Sequence, residues 1–254
     1  MKPWRAAVIA AGILLAWEGV VLVTGAPPYI LPGPLPVIRA ISSHFPLLLH
    51  HLQTTMIEII LGLVLGTIFG ISSALAMTIL PRLKAWMLPL LVISQAIPVF
   101  ALAPVLVLWM GYGMASKVAM TVLIIFFPVC SSFYSGMQRI DPDLLELARI
   151  MGGTRGAIMR WIVIPSALPS FAAGVRVAAA VAPIGAIVGE WVGSSSGLGF
   201  YMLYTNGRMQ IDLMFAALAV LSAASLILYF SIDFFLDKLV FWETTKEIPH
   251  ALQT

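Results

Sequence analysis

Few side chains in this 254-residue chain are placed to do chemistry. Glu58, Ser94, Gln95, Glu190 and Trp191 are polar or amphipathic groups set among long apolar runs, where they suit the handling of a solute rather than a covalent reaction. Ser94-Gln95-Ala96-Ile97-Pro98 sets a hydroxyl and an amide beside a proline. Backbone groups freed by proline at membrane depth need protein partners or a water-filled cavity, so this stretch is a candidate for a solvated path. Plain packing of a kinked helix is the equal alternative. Glu58 is costly in lipid and should point inward. Glu190 and Trp191 fall in the run Gly189 to Gly199, read here as a glycine- and serine-rich outer loop. Trp191 and Tyr201 also fit an interfacial aromatic belt.

Other chemistry is excluded. His44, His50 and His51 cluster, but no carboxylate or thiol joins them at ligand spacing, so they read as interfacial polar residues and no metal site is expected. Cys130 is the single cysteine and sits in an apolar run, which rules out a disulfide framework or a thiol metal cluster. The run Gly111 to Lys117 looks superficially like a phosphate loop, yet it lacks the glycine before the lysine and the hydroxyl after it. With no nucleotide-binding loop, the chain is not expected to hydrolyse ATP itself, and no residue is assigned as catalytic.

The elements that must position these residues are membrane helices. Hydrophobic residues make up 61% of the chain and charged ones 10%, with a mean hydropathy of +1.02, whereas soluble domains carry about 25% charged residues. Such a chain is an all-α integral membrane protein. The net charge of +3 does not point to nucleic acid, because the basic residues fall in loops on one side.

The first apolar run, Ala6 to Thr24, follows Lys2 and Arg5. Its length suits a retained anchor, since the apolar core of a cleaved leader is about 7–15 residues; Thr24-Gly25-Ala26 would nevertheless serve as a cleavage site. Glu18 within it should face protein or the outer surface. Six prolines between Gly25 and Pro46 make the next stretch an irregular periplasmic connector, with a short surface helix over Pro36 to Phe45. Further spans are expected at about residues 52–80, 86–110, 116–136, 170–188 and 213–236, six in all. In the first of these Gly62, Gly66, Gly70 and Ala74 recur every fourth residue, giving a smooth face for a neighbouring helix. Packing within the subunit is the preferred use of that face. Pro89, Pro98 and Pro104 break the 86–110 span. The organisation is thus an anchor and connector over 1–53, a transmembrane domain over 54–237 and a tail over 238–254.

Orientation follows from the basic residues. With the N-terminus inside, the inner segments hold Lys2, Arg5, Arg82, Lys84, Arg139, Arg149, Arg155, Arg160, Arg176, Lys238 and Lys246, against Arg39, Lys117 and Arg208 outside. Both termini and the segment 141–169 are then cytoplasmic.

That segment has a clear local grammar. Asp141 is a good N-cap, Pro142 fits the first helical position, and Asp143 and Glu146 sit near the first turn. Leu144, Ala148 and Met151 share a face. Gly152-Gly153 should stop the helix, with Gly152 as a left-handed cap; Thr154 can cap a second short helix, which Pro165 and Pro169 should end.

Glu146-Leu147-Ala148, then Gly152, then Ile162-Val163-Ile164-Pro165 resembles the EAA loop of ATP-binding-cassette importer permeases: E-A-A, three residues, G, nine residues, I-x-L-P. Leu147 replaces an Ala and Ile164 the Leu; the spacing and the place in the topology match. The resemblance covers roughly Thr54 to Asp237. It implies a type I importer bundle, similar to that of MetI, in the bacterial inner membrane, with a cytoplasmic coupling helix. It further implies an ATPase subunit dimer that binds ATP and magnesium, a periplasmic substrate-binding protein and a second permease subunit, taken as an identical copy. The residues so assigned to ATPase coupling are Leu144, Leu145, Glu146, Ala148, Arg149, Met151, Gly152 and Gly153. Within the family the chain is similar to the branch for nitrate, sulfonates, taurine and thiamine-pyrimidine precursors. SQAIPVFALAPVLVLWMGYG and VGEWVGSSSGLGF look most like the pyrimidine-precursor members. An ion-coupled secondary transporter is the alternative of another class; it would call for inverted repeats and intramembrane carboxylates, of which only Glu58 lies deep.

Overall fold

Long apolar runs interrupted by proline and glycine give helices that pack through small residues. The computed structural model describes residues 3–242, without the side chains of residues 3, 5–7, 10, 95 and 96. Lys2 and the tail beyond residue 242, including Lys246, therefore lie outside the described residues, as does the side chain of Arg5. The helices in order are α1 (Pro3–Thr24), α2 (Pro34–Ser43), α3 (Phe45–Ile79), α4 (Pro81–Ala96), α5 (Val99–Met110), α6 (Met114–Gln138), α7 (Pro142–Ile150), α8 (Arg155–Ile158), α9 (Ile164–Gly193), α10 (Leu198–Gly207) and α11 (Ile211–Leu239), with a π turn at Met159–Val163 before α9. No strand occurs among the described residues.

Four helical stretches are long and apolar enough to cross a membrane: Phe45–Ile79, Met114–Gln138, Arg155–Gly193 and Ile211–Leu239. A fifth span results if the pair α4–α5, broken at Ile97-Pro98, counts as one. Helix α1 is 22 residues long, and its fully described part, Ala11–Thr24, is apolar.

The chain divides into two units. The first comprises Met1–Leu61, Phe100–Met120 and Pro183–Leu226; the second comprises Gly62–Val99, Thr121–Ala182 and Ile227–Thr254.

In the second unit the glycine face of α3 has a defined partner. Gly62 abuts Thr121, Gly66 abuts Ile125 and Gly70 abuts Val129, so α3 and α6 run parallel with residues matched four by four. A Cβ at Gly66 would lie 2.9 Å from Ile125 Cγ2, and one at Gly70 2.8 Å from Val129 Cγ1, closer than real Cβ atoms approach. The groove is thus filled from within the subunit, as the spacing suggested. The same device joins α6 to α9 in the antiparallel sense, where Gly136 meets Ser170 and Gly174 meets Ser132. Arg176 of α9 pairs with Asp233 and Asp237, one turn apart on α11, each at 2.5 Å.

In the first unit a core of Val37 and Ala40 (α2), Leu48 (α3), Leu198 and Tyr201 (α10) and Leu213 and Ala216 (α11) is buried. Trp17 of α1 stacks on Phe215 beside it, ring centroids 5.8 Å apart.

Three expectations need correction. Pro165 and Pro169 do not end the second short helix, because helix runs on from Arg155 to Gly193. The π turn absorbs the defect: Ile164 N–H bonds the Met159 carbonyl, and Pro165, which has no N–H, follows where the α pattern resumes. Glu190 and Trp191 belong to the last turn of α9, not to a loop. The glycines flanking them mark close approaches: a Cβ at Gly189 would sit 3.0 Å from Lys117 Cα, and one at Gly193 2.9 Å from Tyr112 Cδ1. Finally, His51 and Tyr201 are buried, at 8% and 4% exposure, rather than interfacial.

Candidate functional site

The segment between α6 and α9 carries its caps in its own sequence. Asp141 accepts the Asp143 N–H at 2.9 Å and Pro142 opens α7. Gly152 adopts φ +83°, its N–H bonds the Arg149 carbonyl, and the Gly153 N–H bonds the Ala148 carbonyl, each at 2.9 Å. Those two bonds and the left-handed glycine form a Schellman cap, which fixes the elbow without any contact from elsewhere. Thr154 Oγ1 then accepts the Ala157 N–H at 3.2 Å and starts α8.

No residue of α7 is buried. Leu147, Ile150 and Met151 are 53%, 77% and 79% exposed, with Leu144 beside them, while Leu145 and Ala148 are half-buried. Glu146 and Arg149 are exposed as well. A short helix that shows water or headgroups a leucine-rich face lacks the packing that normally stabilises so short an element.

The second group of sequence-selected residues gathers in the first unit, around the start of α10. Gly197 has φ +104° and offers no side chain to cap the helix. Distant side chains do so instead. Gly197 N–H donates to His51 Nδ1 (3.1 Å), Leu198 N–H to Thr55 Oγ1 (2.8 Å), and Gly199 N–H and Phe200 N–H to Glu190 Oε2 (2.5 and 3.2 Å). Thr55 Oγ1 donates to Glu190 Oε1 at 2.6 Å. His51 also stacks on Tyr201, ring centroids 4.8 Å apart. Glu58 meets Glu190, and Lys117 is close enough for its charge to act on Glu58. Lys117 Nζ donates to the carbonyls of Tyr112 (2.9 Å) and Gly113 (3.2 Å). Three of the chain's charged groups are thus collected at almost full burial, with Glu58 and Glu190 each 1% exposed. His51 and Thr55 of α3 and Glu190 of α9 are the groups that hold the start of α10.

Beside this cluster lies a cavity of about 650 Å³, lined by Tyr112, Glu190, Trp191, Val192, Gly193, Ser194, Ser195, Phe200, Leu203 and Tyr204. Of the five residues selected for a path, Glu58, Glu190 and Trp191 come together here. Trp191 faces the cavity; Glu190 reaches its wall with both oxygens engaged, and Glu58 is sealed behind it. Ser94 belongs to the second unit and gives its hydroxyl to the Leu91 carbonyl at 2.7 Å. The side chain of Gln95 lies outside the described residues. Residues not selected from sequence, namely His51, Thr55, Phe200 and Tyr204, complete the cluster and the cavity wall. A smaller cavity of about 260 Å³ in the second unit is lined by Ser131, Ser132, Ser135, Arg139, Ser170 and Ala173.

The family model described as "Binding-protein-dependent transport system inner membrane component" matches residues 62–242. The chain belongs to that family, and is therefore an importer permease and a multi-pass membrane protein. A probable ABC transporter permease protein of Haemophilus influenzae is 50% identical over 232 residues, 91% of this chain and 95% of that protein. A formylaminopyrimidine transport permease protein of Halalkalibacterium halodurans is 39% identical over 211 residues, 83% and 84% of the two chains. Permeases named for riboflavin, aliphatic sulfonates and taurine match at lower identity. Among solved structures, the MetNI methionine ABC transporter in inward-facing conformations aligns with a TM-score of 0.63 at 20% identity, over 80% of this chain and 98% of that one. The fold is therefore the all-α, MetI-like permease fold, and the ion-coupled alternative is set aside.

Proposed function

We propose that this chain is the membrane subunit of an ATP-driven importer for a thiamine-pyrimidine precursor. It would act as a homodimer with two ATPase subunits, which bind the ATP and magnesium, and with a periplasmic binding protein that delivers the nutrient. The chain itself holds no cofactor in this reading. Six spans and two cytoplasmic termini go with it, α1 being the first span and α4–α5 together the third.

The observation that carries the proposal is α7. Its exposed Leu144, Leu147, Ile150 and Met151, with Glu146 and Arg149 on the same short helix, suit a cleft in a partner subunit. The capped elbow at Gly152-Gly153 sets the angle at which a push on α7 reaches α8 and, through it, α9. Closure of the ATPase pair would bias the bundle between two arrangements, and two states are all that transport requires. Leu145, Ala148 and Gly153 form the inner side of the same elbow. Along the path, Trp191 would meet the solute, Ser94 and Gln95 would supply polar groups at the Pro98 break, and Glu58 and Glu190 would hold the wall.

The pyrimidine assignment is supported by the 39% identity to a formylaminopyrimidine permease. The test is uptake by vesicles holding the permease, its ATPase and its binding protein. Formylaminopyrimidine should enter only with ATP, and a dissipated proton gradient should not matter. Uptake of taurine or nitrate in its place, or uptake without ATP, would overturn the assignment.

A further inference from the structure

The cavity beside α10 has a composition that selects among solutes. Four aromatic rings from three segments line it: Tyr112 in the α5–α6 turn, Trp191 at the end of α9, and Phe200 and Tyr204 on α10. Phe200 and Tyr204 stack on each other, ring centroids 6.0 Å apart at 26°, and Tyr201 continues the stack at 6.5 Å from Tyr204. The rings are therefore held as a platform before any solute arrives, within the range of about 4.5–7 Å that stacked rings favour. The volume, about 650 Å³, lies inside the range of roughly 300–1,000 Å³ typical of small-molecule sites.

The charge pattern is equally specific. No lysine or arginine lines the cavity itself, and the one carboxyl group in its wall is Glu190. Arg208, at its rim, is already engaged, donating to the Tyr204 hydroxyl and lying over that ring with Cζ 5.2 Å from the centroid. A helix N-terminus is the usual backbone site for an anion, and α10 begins here. Its first N–H groups are already taken by His51, Thr55 and Glu190 of this chain. A sulfonate or nitrate would meet a carboxyl group and occupied donors. A flat neutral ring would meet ring faces, with the Ser195 hydroxyl and the Trp191 indole N–H as polar contacts at the edge.

We propose that this cavity is a solute subsite for flat, uncharged or weakly basic nitrogen heterocycles and that it excludes anions. The proposal rests on the importer reading above and deepens it, by placing the discrimination between rings and anions in the permease as well as in its binding protein. Trp191 and Tyr204 would hold the ring, and Glu190 would act by closing the α10 terminus to anions.

The test uses the full chain with its ATPase subunits in nanodiscs, without the binding protein. Cys130 is the single cysteine and is buried, so the parent should give a blank with a hydrophilic maleimide. Ser195→Cys places a thiol in the cavity wall, and Leu203→Cys does the same if the first variant fails to assemble. Saturating formylaminopyrimidine should slow labelling severalfold, because a ring seated among the aromatic side chains occludes the thiol; taurine and nitrate should leave it unchanged. Adding Trp191→Ala and Tyr204→Ala should abolish the protection. Protection by taurine, protection by neither solute, or protection that survives loss of both rings would overturn the proposal. Vesicle uptake separates the two levels. Normal formylaminopyrimidine uptake without protection removes the subsite and leaves the importer assignment. Protection without uptake keeps the subsite and removes the named nutrient.

Discussion

Glu190 offers the sharpest energetic expectation, because its bonds to α10 and to Thr55 are defined and it is 1% exposed. It also meets Glu58, a contact left out of the total. Its Oε2 accepts the Gly199 and Phe200 N–H groups at 2.5 and 3.2 Å, and its Oε1 accepts the Thr55 hydroxyl at 2.6 Å. Glu190→Ala leaves the Gly199 N–H buried without an acceptor, at a cost of about 1–3 kcal/mol, and removes two further bonds of about 1 kcal/mol each or more. The total is roughly 3–5 kcal/mol, concentrated on the attachment of α10. Glu190→Gln keeps one carbonyl acceptor and a similar shape, so about half that loss is expected. Amide hydrogen exchange of the detergent-purified chain reads this directly, since α10 can open without the rest. At about 1.4 kcal/mol per factor of ten, exchange at Gly199 and Phe200 should accelerate at least a hundredfold in the alanine variant and about tenfold or more in the glutamine variant. Amides of α6 below Thr121 should be unchanged. Exchange at α10 within twofold of the parent in both variants would refute the capping account.

Three other outcomes follow from the geometry. Gly152→Ala meets no atom within 4 Å and so tests φ +83° alone; about 1–2 kcal/mol of strain should partly uncouple ATP hydrolysis from uptake, with Gly152→Asn milder, measured as solute moved per ATP. Glu146→Ala removes an exposed carboxylate with no partner among the described residues and should lower ATPase co-purification about tenfold or less, with thermal stability of the isolated chain unchanged. Gly66→Leu drives a side chain into Ile125 and should lower the melting temperature and yield of the folded chain, with partial recovery in Gly66→Ala paired with Ile125→Ala.

Much of this was legible in the sequence where the physics is local. Asp141, Pro142, Gly152 and Thr154 cap helices through residues two to five positions away, so α7 and its elbow can be read directly. The four-residue spacing of Gly62, Gly66 and Gly70 announced close packing, though not that Thr121, Ile125 and Val129 would fill it. Helix α10 was not legible. Its caps come from His51 and Thr55, 146 and 143 residues away, and its own start is a bare glycine. For the same reason His51 and Tyr201 read as interfacial, since only tertiary contact tells a buried ring from a belt residue. Glu190 read as loop because glycines flank it, and the close approaches of Gly189 to Lys117 and Gly193 to Tyr112 are invisible without the fold. Pro165 and Pro169 obeyed the helix-ending rule on paper, and one π turn overrode it.

The central claim is that an ATPase docked on the exposed face of α7 drives this permease, and Ile150→Asp tests it most directly. Ile150 is 77% exposed and lies outside every core contact, so a charge there should leave the chain folded. In vesicles holding the variant with its binding protein and ATPase, uptake should fall to background and the ATPase should no longer co-purify, while far-ultraviolet dichroism and oligomer size match the parent. Uptake and ATPase co-purification at parental levels would contradict the account.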